Sequence, residues 1–333
     1  MTRPRLRALV LAAGRGERLR PLTAELPKPL LPIAGLPVAA WTLERLAAAG
    51  VEAAALNLHH LGGAIRAAFG ERFGKKDRAL PLVYSEEPEL LGTGGAFGPL
   101  AGWLAEADAV LAINGDSLCR WPLDALLRRH RKGDASATLL FHRTVAPGRF
   151  GGGVAVESGR VVAWRRHDLG WRTARVRRVF AGAAVLRPEL LARLPAGPSD
   201  VIAALYEPLL ADGATIAAVE TARPWFDLGT PARYLEGAVA WALSGRPARS
   251  AWVAGAAEVA PGARLAESVV EAGAAVGAGA RLDRCLILPG ARVGAGARLA
   301  RTIVGPGAAV APGAALRGVL VDRAGGTIDL EVR

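Results

Sequence analysis

A recurring spacing of aliphatic side chains runs through the C-terminal part of the chain. Successive aliphatic residues lie six, six and five positions apart, and this cycle occurs four times. The positions are Val253, Val259, Leu265, Val270, Val276, Leu282, Ile287, Val293, Leu299, Val304, Val310 and Leu316. Repetition at a fixed period indicates stacked structural units that bury a shared core. The spacing predicts a stack of four coils, each built from three short flat strands.

Glycine marks the corners of these predicted coils. It recurs three places after the aliphatic residues, as in the two VGAGAR sequences that begin at Val276 and Val293. A tight corner requires positive φ, which glycine adopts without steric cost. The alternative is a low-complexity segment, because alanine and glycine dominate this region. Random alanine-glycine sequence would not hold twelve aliphatic residues in register, so we favour the coils.

The chain before this array has a different pattern. From residue 5 to about 242, short apolar runs alternate with helical stretches, which is typical of a parallel sheet covered by helices. The predicted strands are Leu6–Ala12, Val51–Asn57, Leu80–Ser85, Ala109–Asn114, Ser136–Arg143, Val179–Leu186 and Thr215–Val219. The predicted helices are Val38–Ala49, Thr93–Leu104, Leu123–Arg131, Val201–Ala211 and Pro231–Leu243. The connection SGRPARS, residues 244–250, predicts a domain boundary because it contains glycine, proline and serine.

A segment rich in glycine and arginine follows the first predicted strand, with the sequence LAAGRGERLRPLTAELPKPLLPI from Leu11 to Ile33. Gly14 and Gly16 let a loop approach a bulky anion closely, and arginine and lysine side chains follow within the same segment. Backbone amides with guanidinium and ammonium groups suit a polyphosphate. The segment does not match the dinucleotide-binding motif GxGxxG, because Leu19 replaces the third glycine. It does not match a P-loop either, because no Gly-Lys-Ser/Thr follows.

This segment resembles the pattern L-A-G/A-G-x-G-x-R-L-x-P-L-T followed by P-K-P-L of the sugar-1-phosphate nucleotidylyltransferases, also called NDP-sugar pyrophosphorylases. Glu17 departs from the threonine that is frequent in the family. The coil array resembles the left-handed parallel β-helix found at the C-terminus of many nucleotidylyltransferases. The resemblance implies an α/β fold, with a Rossmann-like nucleotidyltransferase domain over residues 1–243, a linker over 244–250, a left-handed parallel β-helix over 251–320 and a tail over 321–333.

Two aspartates match motifs of the same family. Asp116 ends the sequence LAINGD, at the carboxyl end of a predicted strand where α/β sheets bind ligands. Asp227 lies in WFDLGTP, which is followed by Tyr234 and resembles the element W-x-D-x-G-T-P-x-x-Y, and Thr230 is placed to cap the next helix. The resemblance implies that both aspartates ligate Mg²⁺. A hard cation bound to phosphates commonly takes one or two protein carboxylates.

The resemblance also implies a reaction between a nucleoside triphosphate and a sugar 1-phosphate, in which a sugar phosphate oxygen attacks the α-phosphorus and pyrophosphate departs. We expect catalysis from positioning and charge neutralisation, without a side-chain nucleophile. The expected catalytic residues are Arg18, Lys28, Asp116 and Asp227. The expected nucleotide-binding residues are Leu11, Ala12, Ala13, Gly14, Gly16, Arg18, Glu87, Gly92 and Gly94.

The motifs constrain the identity of the nucleotide and of the sugar less tightly than they constrain the reaction. Glu87 precedes a proline where relatives selective for uracil and thymine often have glutamine, and a carboxylate only accepts hydrogen bonds. Guanine offers two adjacent donors, so we favour GTP, with mannose 1-phosphate, while UTP and dTTP stay open. Gly151 and Gly182 fall where the family contacts the sugar. The Glu-Lys-Pro segment of many relatives is absent, and Arg165 or Arg166 is its candidate replacement.

Composition excludes several other classes. The net charge of +12 is spread along the chain without a run of five basic residues, so we expect no nucleic-acid partner. The chain has two cysteines that lie far apart in the sequence, so we predict neither a disulfide framework nor a metal site. This low cysteine content fits a reducing cytoplasm. No apolar stretch reaches the ~20 residues of a membrane helix. We expect homo-oligomers, because stacked coils have exposed ends and flat faces.

Three rival functions share parts of this pattern. An acyltransferase or a bifunctional enzyme would use a histidine in or beside the β-helix, but no histidine follows His167. A non-catalytic regulatory homologue would tend to lose the phosphate and metal groups, whereas this chain keeps all four of the expected catalytic residues. An active nucleotidylyltransferase is therefore the favoured interpretation.

Overall fold

The computed structural model describes residues 4–75, 79–146, 153–164 and 176–331. The chain forms two compact units. The first unit consists of Met1–Gly14 and Trp41–Trp225, and the second consists of Arg15–Ala40 and Phe226–Arg333. The glycine- and arginine-rich segment is therefore divided, because its residues from Arg15 onward belong to the same unit as the C-terminal coils.

The α-helices are α1 Leu22–Glu25, α2 Val38–Ala49, α3 Gly62–Phe69, α4 Gly92–Gly95, α5 Ala101–Ala105, α6 Leu123–Arg131, α7 Glu207–Ala211 and α8 Pro231–Ala242. Short 3₁₀ helices cover Glu17–Leu19, Lys28–Leu30, Gly98–Leu100 and Pro188–Arg193, and a π-helix covers Ile202–Tyr206. The strands before the coils are β1 Leu6–Leu11, β2 Pro32–Ile33, β3 Leu36–Pro37, β4 Ala53–Leu58, β5 Arg72–Phe73, β6 Leu80–Glu86, β7 Ala109–Asn114, β8 Ser117–Cys119, β9 Ala137–His142, β10 Val154–Glu157, β11 Arg160–Trp164, β12 Arg177–Leu186, β13 Ile216–Thr221 and β14 Trp225–Asp227.

The first unit is built on a sheet with the strand order β10-β11-β13-β9-β12-β7-β1-β4-β6-β5. Strands β6, β4, β1 and β7 are parallel neighbours, and the residues of β4, β1 and β7 are buried almost without interruption. Continuous apolar runs are typical of parallel strands that are covered on both faces. The strand order reverses direction at β1, so the carboxyl ends of β1 and β7 form the switch point where such sheets bind ligands.

The sheet is mixed, whereas the alternation of apolar runs and helices predicts a parallel one. Strand β12 runs antiparallel to both β7 and β9. Apolar periodicity records which side chains are buried but carries no information on strand direction, so the sequence pattern could not reveal this pairing. Helices α2 and α6 have the predicted bounds.

Two predicted helices differ from the structure. The helix expected over Thr93–Leu104 is divided into α4, a 3₁₀ helix and α5, and Pro99 lies in the 3₁₀ helix between them. Proline lacks the N–H group that a continuous helix would need there. The helix expected over Val201–Ala211 begins as a π-helix, in which the buried Tyr206 ring stacks on Trp164 with a centroid distance of 6.0 Å. Tertiary packing therefore alters the local helical geometry.

The coils of the second unit consist of short strands in three parallel sheets. Their strands are β15 Trp252–Val253, β16 Glu258–Val259, β17 Arg264–Ala266, β18 Val269–Val270, β19 Ala275–Val276, β20 Arg281–Asp283, β21 Leu286–Ile287, β22 Arg292–Val293, β23 Arg298–Ala300, β24 Ile303–Val304, β25 Ala309–Val310, β26 Ala315–Arg317, β27 Val319–Val321 and β28 Thr327–Asp329. Each coil adds one strand to each sheet. Leu265, Leu282, Leu299 and Leu316 lie in register, as the aliphatic spacing predicts.

The corners of the coils are of two kinds. Glycines three places after the aliphatic residues have φ between 65° and 78°, which confirms the prediction from the VGAGAR sequences. The remaining corner has Glu267, Arg284 and Arg301 with φ of 47°, 51° and 47°, followed by Gly318 in the last coil. Non-glycine residues in this region are uncommon. The five-residue step in the aliphatic spacing marks this corner, but no glycine identifies it in the sequence.

The C-terminal residues cover the end of the coil stack. Strand β27 continues the sheet of β24 in parallel, and β28 pairs with β27 in the antiparallel direction. Residues 321–333 are expected as a tail from the sequence, yet Val321 and β28 belong to this sheet. An antiparallel return at the end of a sheet limits its exposure as an edge that other chains could extend.

Candidate functional site

The carboxyl ends of β1 and β7 lie side by side in the first unit. Leu11 is the register partner of Asn114, and the Gly115 amide donates to the Leu11 carbonyl over 2.9 Å. A Cβ on Gly115 would lie 2.8 Å from Val10 Cγ1, so only glycine permits this close turn. The half-buried Asp116 follows directly, and the Ser117 hydroxyl donates to Asp116 Oδ1 over 3.4 Å. The structure therefore places Asp116 at the switch point of the sheet.

A buried hydrogen-bond chain connects the loop after β1 with Glu87. The Ala12 amide donates to Asn57 Oδ1 over 2.7 Å, and Asn57 Nδ2 donates to Glu87 Oε1 over 2.8 Å. Glu87 Oε2 accepts from the Leu91 amide over 3.0 Å, and the Glu87 side chain is buried. Both carboxylate oxygens thus already have a protein donor. Asn57 is absent from the residues predicted to bind nucleotide, although a polar side chain within an apolar strand is a signal that singles it out.

The glycines after Glu87 pack against a neighbouring backbone segment. A Cβ on Gly92 would lie 2.6 Å from the Ser199 carbonyl oxygen, and a Cβ on Gly94 would lie 2.6 Å from Ser199 Oγ. The Gly94 amide also donates to the Ser199 carbonyl over 2.8 Å. This close approach explains why both positions need glycine. The explanation does not depend on any contact with a nucleotide.

Of the residues predicted to contact the sugar, Gly182 lies against the end of β7. Its φ is 83°, and a Cβ would lie 2.6 Å from Asn114 Nδ2. Gly182 therefore belongs to the same edge of the sheet as Asp116. Gly151, Arg165 and the alternative Arg166 lie outside the described residues.

The glycine- and arginine-rich segment has an ordered backbone between Gly16 and Thr23. Gly16 has a φ of 63°, and the Thr23 hydroxyl donates to its carbonyl over 2.7 Å. Gly14 has no atom within 4 Å of the position that a Cβ would occupy, among the residues that the structure describes. Arg18 lies on the 3₁₀ helix Glu17–Leu19 with an exposed side chain, and the Glu17 carboxylate lies 3.8 Å from Arg15. The segment can thus present Arg18 to an anion.

Asp227 is held beside Arg18 in the second unit. The Cβ position of Gly229 lies 2.9 Å from an Arg18 guanidinium nitrogen and 3.0 Å from Asp227 Oδ1, so both side chains approach this glycine closely. Asp227 Oδ2 forms an ion pair with Arg233 over 3.0 Å. The Arg233 amide donates to the Thr230 hydroxyl over 3.4 Å, which confirms the predicted helix cap. Arg233 is missed by the sequence reasoning, although it occupies the first turn of a helix that begins at the motif.

Lys28 is a buried cation on a rigid turn. Lys28 is 7% exposed, and it is the first residue of the 3₁₀ helix Lys28–Leu30. The Leu30 amide donates to the Pro27 carbonyl over 2.8 Å. Prolines on either side of Lys28 fix two further φ angles. The backbone therefore fixes the direction of the Lys28 Cα–Cβ bond, and burial restricts the rest of the side chain.

The hairpin that follows Lys28 is held by α8 and the coils. The Tyr234 hydroxyl donates to the Pro32 carbonyl over 2.6 Å, and the Gly35 amide donates to Glu271 Oε2 over 3.0 Å. Glu271 is 1% exposed, and its Oε1 has no hydrogen-bond partner among the described residues. Burial raises the pKa of the Glu271 carboxyl above 4.5, and the backbone amides of Ala34 and Gly35 partly oppose this. Glu271 thus tethers the β2–β3 turn.

Substitution of Glu271 tests this tether through the pH dependence of folding. Because the native pKa is raised, the carboxyl contributes stability that is present below about pH 4.5 and is lost as pH rises through the native pKa. Glu271→Gln cannot ionise and keeps an acceptor for Gly35, so we expect it to remove this loss. Glu271→Leu removes the acceptor and should lower the free energy of unfolding by about 1–3 kcal/mol at every pH.

The measurement is urea unfolding of each variant between pH 4 and 8, with Glu258→Gln, an exposed position on β16, as the control. Parallel curves of unfolding free energy against pH for the wild type and Glu271→Gln would contradict the assignment.

Comparison with known proteins matches the N-terminal motifs and the C-terminal coils to two separate families. Residues 7–164 match the family described as nucleotidyl transferase, and residues 242–322 match the GlmU-like C-terminal hexapeptide family. A mannose-1-phosphate guanylyltransferase of Mycobacterium tuberculosis is 37% identical over 232 residues, which cover 69% of this chain and 63% of the relative. The mannose-1-phosphate guanylyltransferase catalytic subunit beta of Xenopus tropicalis is 26% identical over 250 residues, which cover 74% of this chain and 68% of the relative.

A mannose-1-phosphate guanyltransferase of Emericella nidulans is 28% identical over 243 residues, which cover 70% of this chain and 63% of the relative. The chain thus spans slightly under two thirds of the length of the mycobacterial and Emericella relatives. Among the described residues, no helix is both long and apolar enough to span a membrane. The two matches account for both sequence patterns: the chain contains a nucleotidyl transferase domain and a C-terminal hexapeptide region of the GlmU-like kind.

Proposed function

We propose that this protein is a sugar-1-phosphate nucleotidylyltransferase. An oxygen of the sugar 1-phosphate attacks the α-phosphorus of a nucleoside triphosphate. The bond from that phosphorus to the β-phosphate oxygen breaks, so the products are an NDP-sugar and pyrophosphate. The observation that carries the proposal is the close approach of both Arg18 and Asp227 to Gly229. This arrangement joins an anion-binding group and a metal-binding group that come from two separate motifs.

The chain's own residues supply the positive charge for this reaction. Arg18 and the amides of the loop after β1 hold the departing pyrophosphate, and Lys28 contacts the reacting phosphates. Arg233 pairs with Asp227 and so fixes the direction of its carboxylate. Substrate positioning accounts for much of the rate, because the reaction is an in-line displacement that needs no covalent enzyme intermediate.

We propose Mg²⁺ as the metal, with Asp116 and Asp227 as its protein ligands. The described residues contain no group of three or more histidine, cysteine, aspartate or glutamate side chains that could form an all-protein metal cage. A pair of carboxylates fits Mg²⁺ in particular, since this ion takes one or two of them and completes its shell with phosphate oxygens and water. When bound, Mg²⁺ neutralises charge on the phosphates.

For the substrates we propose GTP and mannose 1-phosphate. The names of the relatives support this pair. The carboxylate of Glu87 also supports guanine, because each of its oxygens accepts one protein hydrogen bond and has a further lone pair for a donor. Through Asn57 the same carboxylate orients the loop at Ala12. We propose that Glu87 links base recognition to phosphate positioning.

The test is pyrophosphate release with Mg²⁺ from GTP, UTP, dTTP, ATP and CTP, each combined with mannose, glucose and N-acetylglucosamine 1-phosphates. We expect the largest kcat/KM for GTP with mannose 1-phosphate. Protein carrying Asp116→Asn, purified in parallel, controls for contaminating activity. A higher kcat/KM with UTP or dTTP would overturn the nucleotide assignment. Nucleotide binding without turnover of any pair would overturn the activity and favour the regulatory homologue.

We further propose that the coils form a left-handed parallel β-helix, that this region mediates self-association and that the enzyme works in the cytoplasm. The parallel in-register strands of all three sheets support the first point. The second rests on the flat faces of such a stack. Light scattering of the full chain measures the assembly directly.

A further inference from the structure

Three arginines form a column on one face of the coil stack. Arg264, Arg281 and Arg298 are register partners on β17, β20 and β23, and all three are exposed. Neighbouring strands lie about 4.8 Å apart, so three positive charges fall within about 10 Å. Among the described residues, no carboxylate oxygen lies within 4.0 Å of any of these guanidinium groups. We call these three residues the arginine column.

The arginine column is not required by the fold. Its residues flank buried or half-buried leucines and point outward, and Ala315 occupies the same position in the fourth coil. Like charges directly opposite each other in a sheet are destabilising. The other arginine within a strand of a neighbouring sheet, Arg292, has Ala275 and Ala309 as its register partners. The column therefore concentrates charge where isolated arginines would suffice for a solvated surface.

The column lines a depression of about 410 Å³, and Arg249 also lines it. A second depression of about 520 Å³ shares Arg249 and adds Arg246, Arg284 and Arg301. In this second depression the charges are partly balanced, because Arg284 lies 3.8 Å from Glu267 and Arg301 pairs with Glu331 over 2.6 Å. Asp283 also lines the first depression, 3.7 Å from Arg284. The first depression thus brings together four arginines and one aspartate, and that aspartate lies beside Arg284.

We propose that the depression formed by the arginine column and Arg249 is a binding site for a small anion that carries two or more linked phosphate groups. Guanidinium groups bind phosphate oxygens in pairs, and a chain of linked phosphates is long enough to contact guanidinium groups on neighbouring strands about 4.8 Å apart. The volume is that of a small-molecule site. Its lining, within the described residues, contains no aromatic side chain on which a base could stack. This favours a phosphate chain over single-stranded nucleic acid.

The experiment uses inorganic triphosphate in EDTA, titrated into the full chain by isothermal calorimetry. The variants are Arg281→Ala, in the middle of the column, and Arg292→Ala, the matched exposed strand position outside it. We expect Arg281→Ala to weaken binding at least tenfold, because it removes a charge-assisted contact, and Arg292→Ala to change it less than twofold. Without ligand, Arg281→Ala should leave the melting temperature unchanged or raise it, since it relieves repulsion.

A third variant, Arg18→Ala, separates this site from the proposed pyrophosphate site. Binding that is lost in Arg18→Ala and retained in Arg281→Ala would place triphosphate at the glycine- and arginine-rich segment and overturn the proposal. Equal weakening by Arg281→Ala and Arg292→Ala would indicate general charge attraction and also overturn it. Loss in Arg281→Ala with retention in Arg18→Ala supports the arginine column, whether or not the protein turns over a sugar phosphate.

Discussion

Replacing Asp116 by asparagine is expected to lower kcat about 1,000-fold or more. The substitution removes a full negative charge at the switch point of the sheet, where we propose that the carboxylate holds Mg²⁺ against the phosphates. Loss of such electrostatic stabilisation typically costs factors of this size. Asparagine retains an oxygen that can accept from the Ser117 hydroxyl, so the free energy of unfolding should change by less than about 1 kcal/mol.

Asp227→Asn and the double variant make this test sharper. If both carboxylates serve one metal ion, removing the second after the first should lower kcat little further. The increases in activation free energy will then be strongly non-additive. Asp124→Asn, an exposed aspartate in the first turn of α6, is the control for a general change in charge. Fully additive losses, or single variants with an unchanged dependence of rate on Mg²⁺ concentration, would contradict a shared metal.

The second large effect is expected for Lys28→Met, which should lower kcat about 100- to 1,000-fold. Methionine has a similar length and suits a buried position, so it removes the ammonium charge with little change in packing. Pro27 and Pro29 restrict the turn around Lys28, and burial limits the movement of its side chain before substrate binds. A preorganised charge near the reacting phosphates acts mainly on the transition state, and kcat should fall more than KM rises.

Lys132→Met, at the exposed C-terminal end of α6, is the matched control and should retain full activity. Single-turnover kinetics on both variants separate the chemical step from product release. A Lys28→Met protein with normal kcat and a lowered free energy of unfolding would show that this lysine serves the fold instead of the reaction.

Several features of the site follow from local sequence. The apolar run Leu6–Leu11 and the sequence LAINGD specify two buried strands and the turn after each, because side chains of neighbouring residues decide those structures. Thr230 caps α8 as predicted, since the cap depends on residues within one helical turn. Glu87 is less fully predictable. Its motif marks it as polar and close to a ligand loop, but its bonds to Asn57 and the Leu91 amide depend on the packing of separate strands.

The coil stack, its glycine corners and the strands that carry Asp116 and the first glycines of the motif are all predictable from sequence, because they depend on spacing and on backbone preferences of single residues. The antiparallel direction of β12, the ion pair of Asp227 with Arg233 and the bond from Gly35 to Glu271 emerge only in the folded chain. Strand direction and contacts between distant residues follow from the arrangement that buries the most apolar surface and satisfies the buried polar groups. That arrangement is a property of the whole chain, so no local pattern records it.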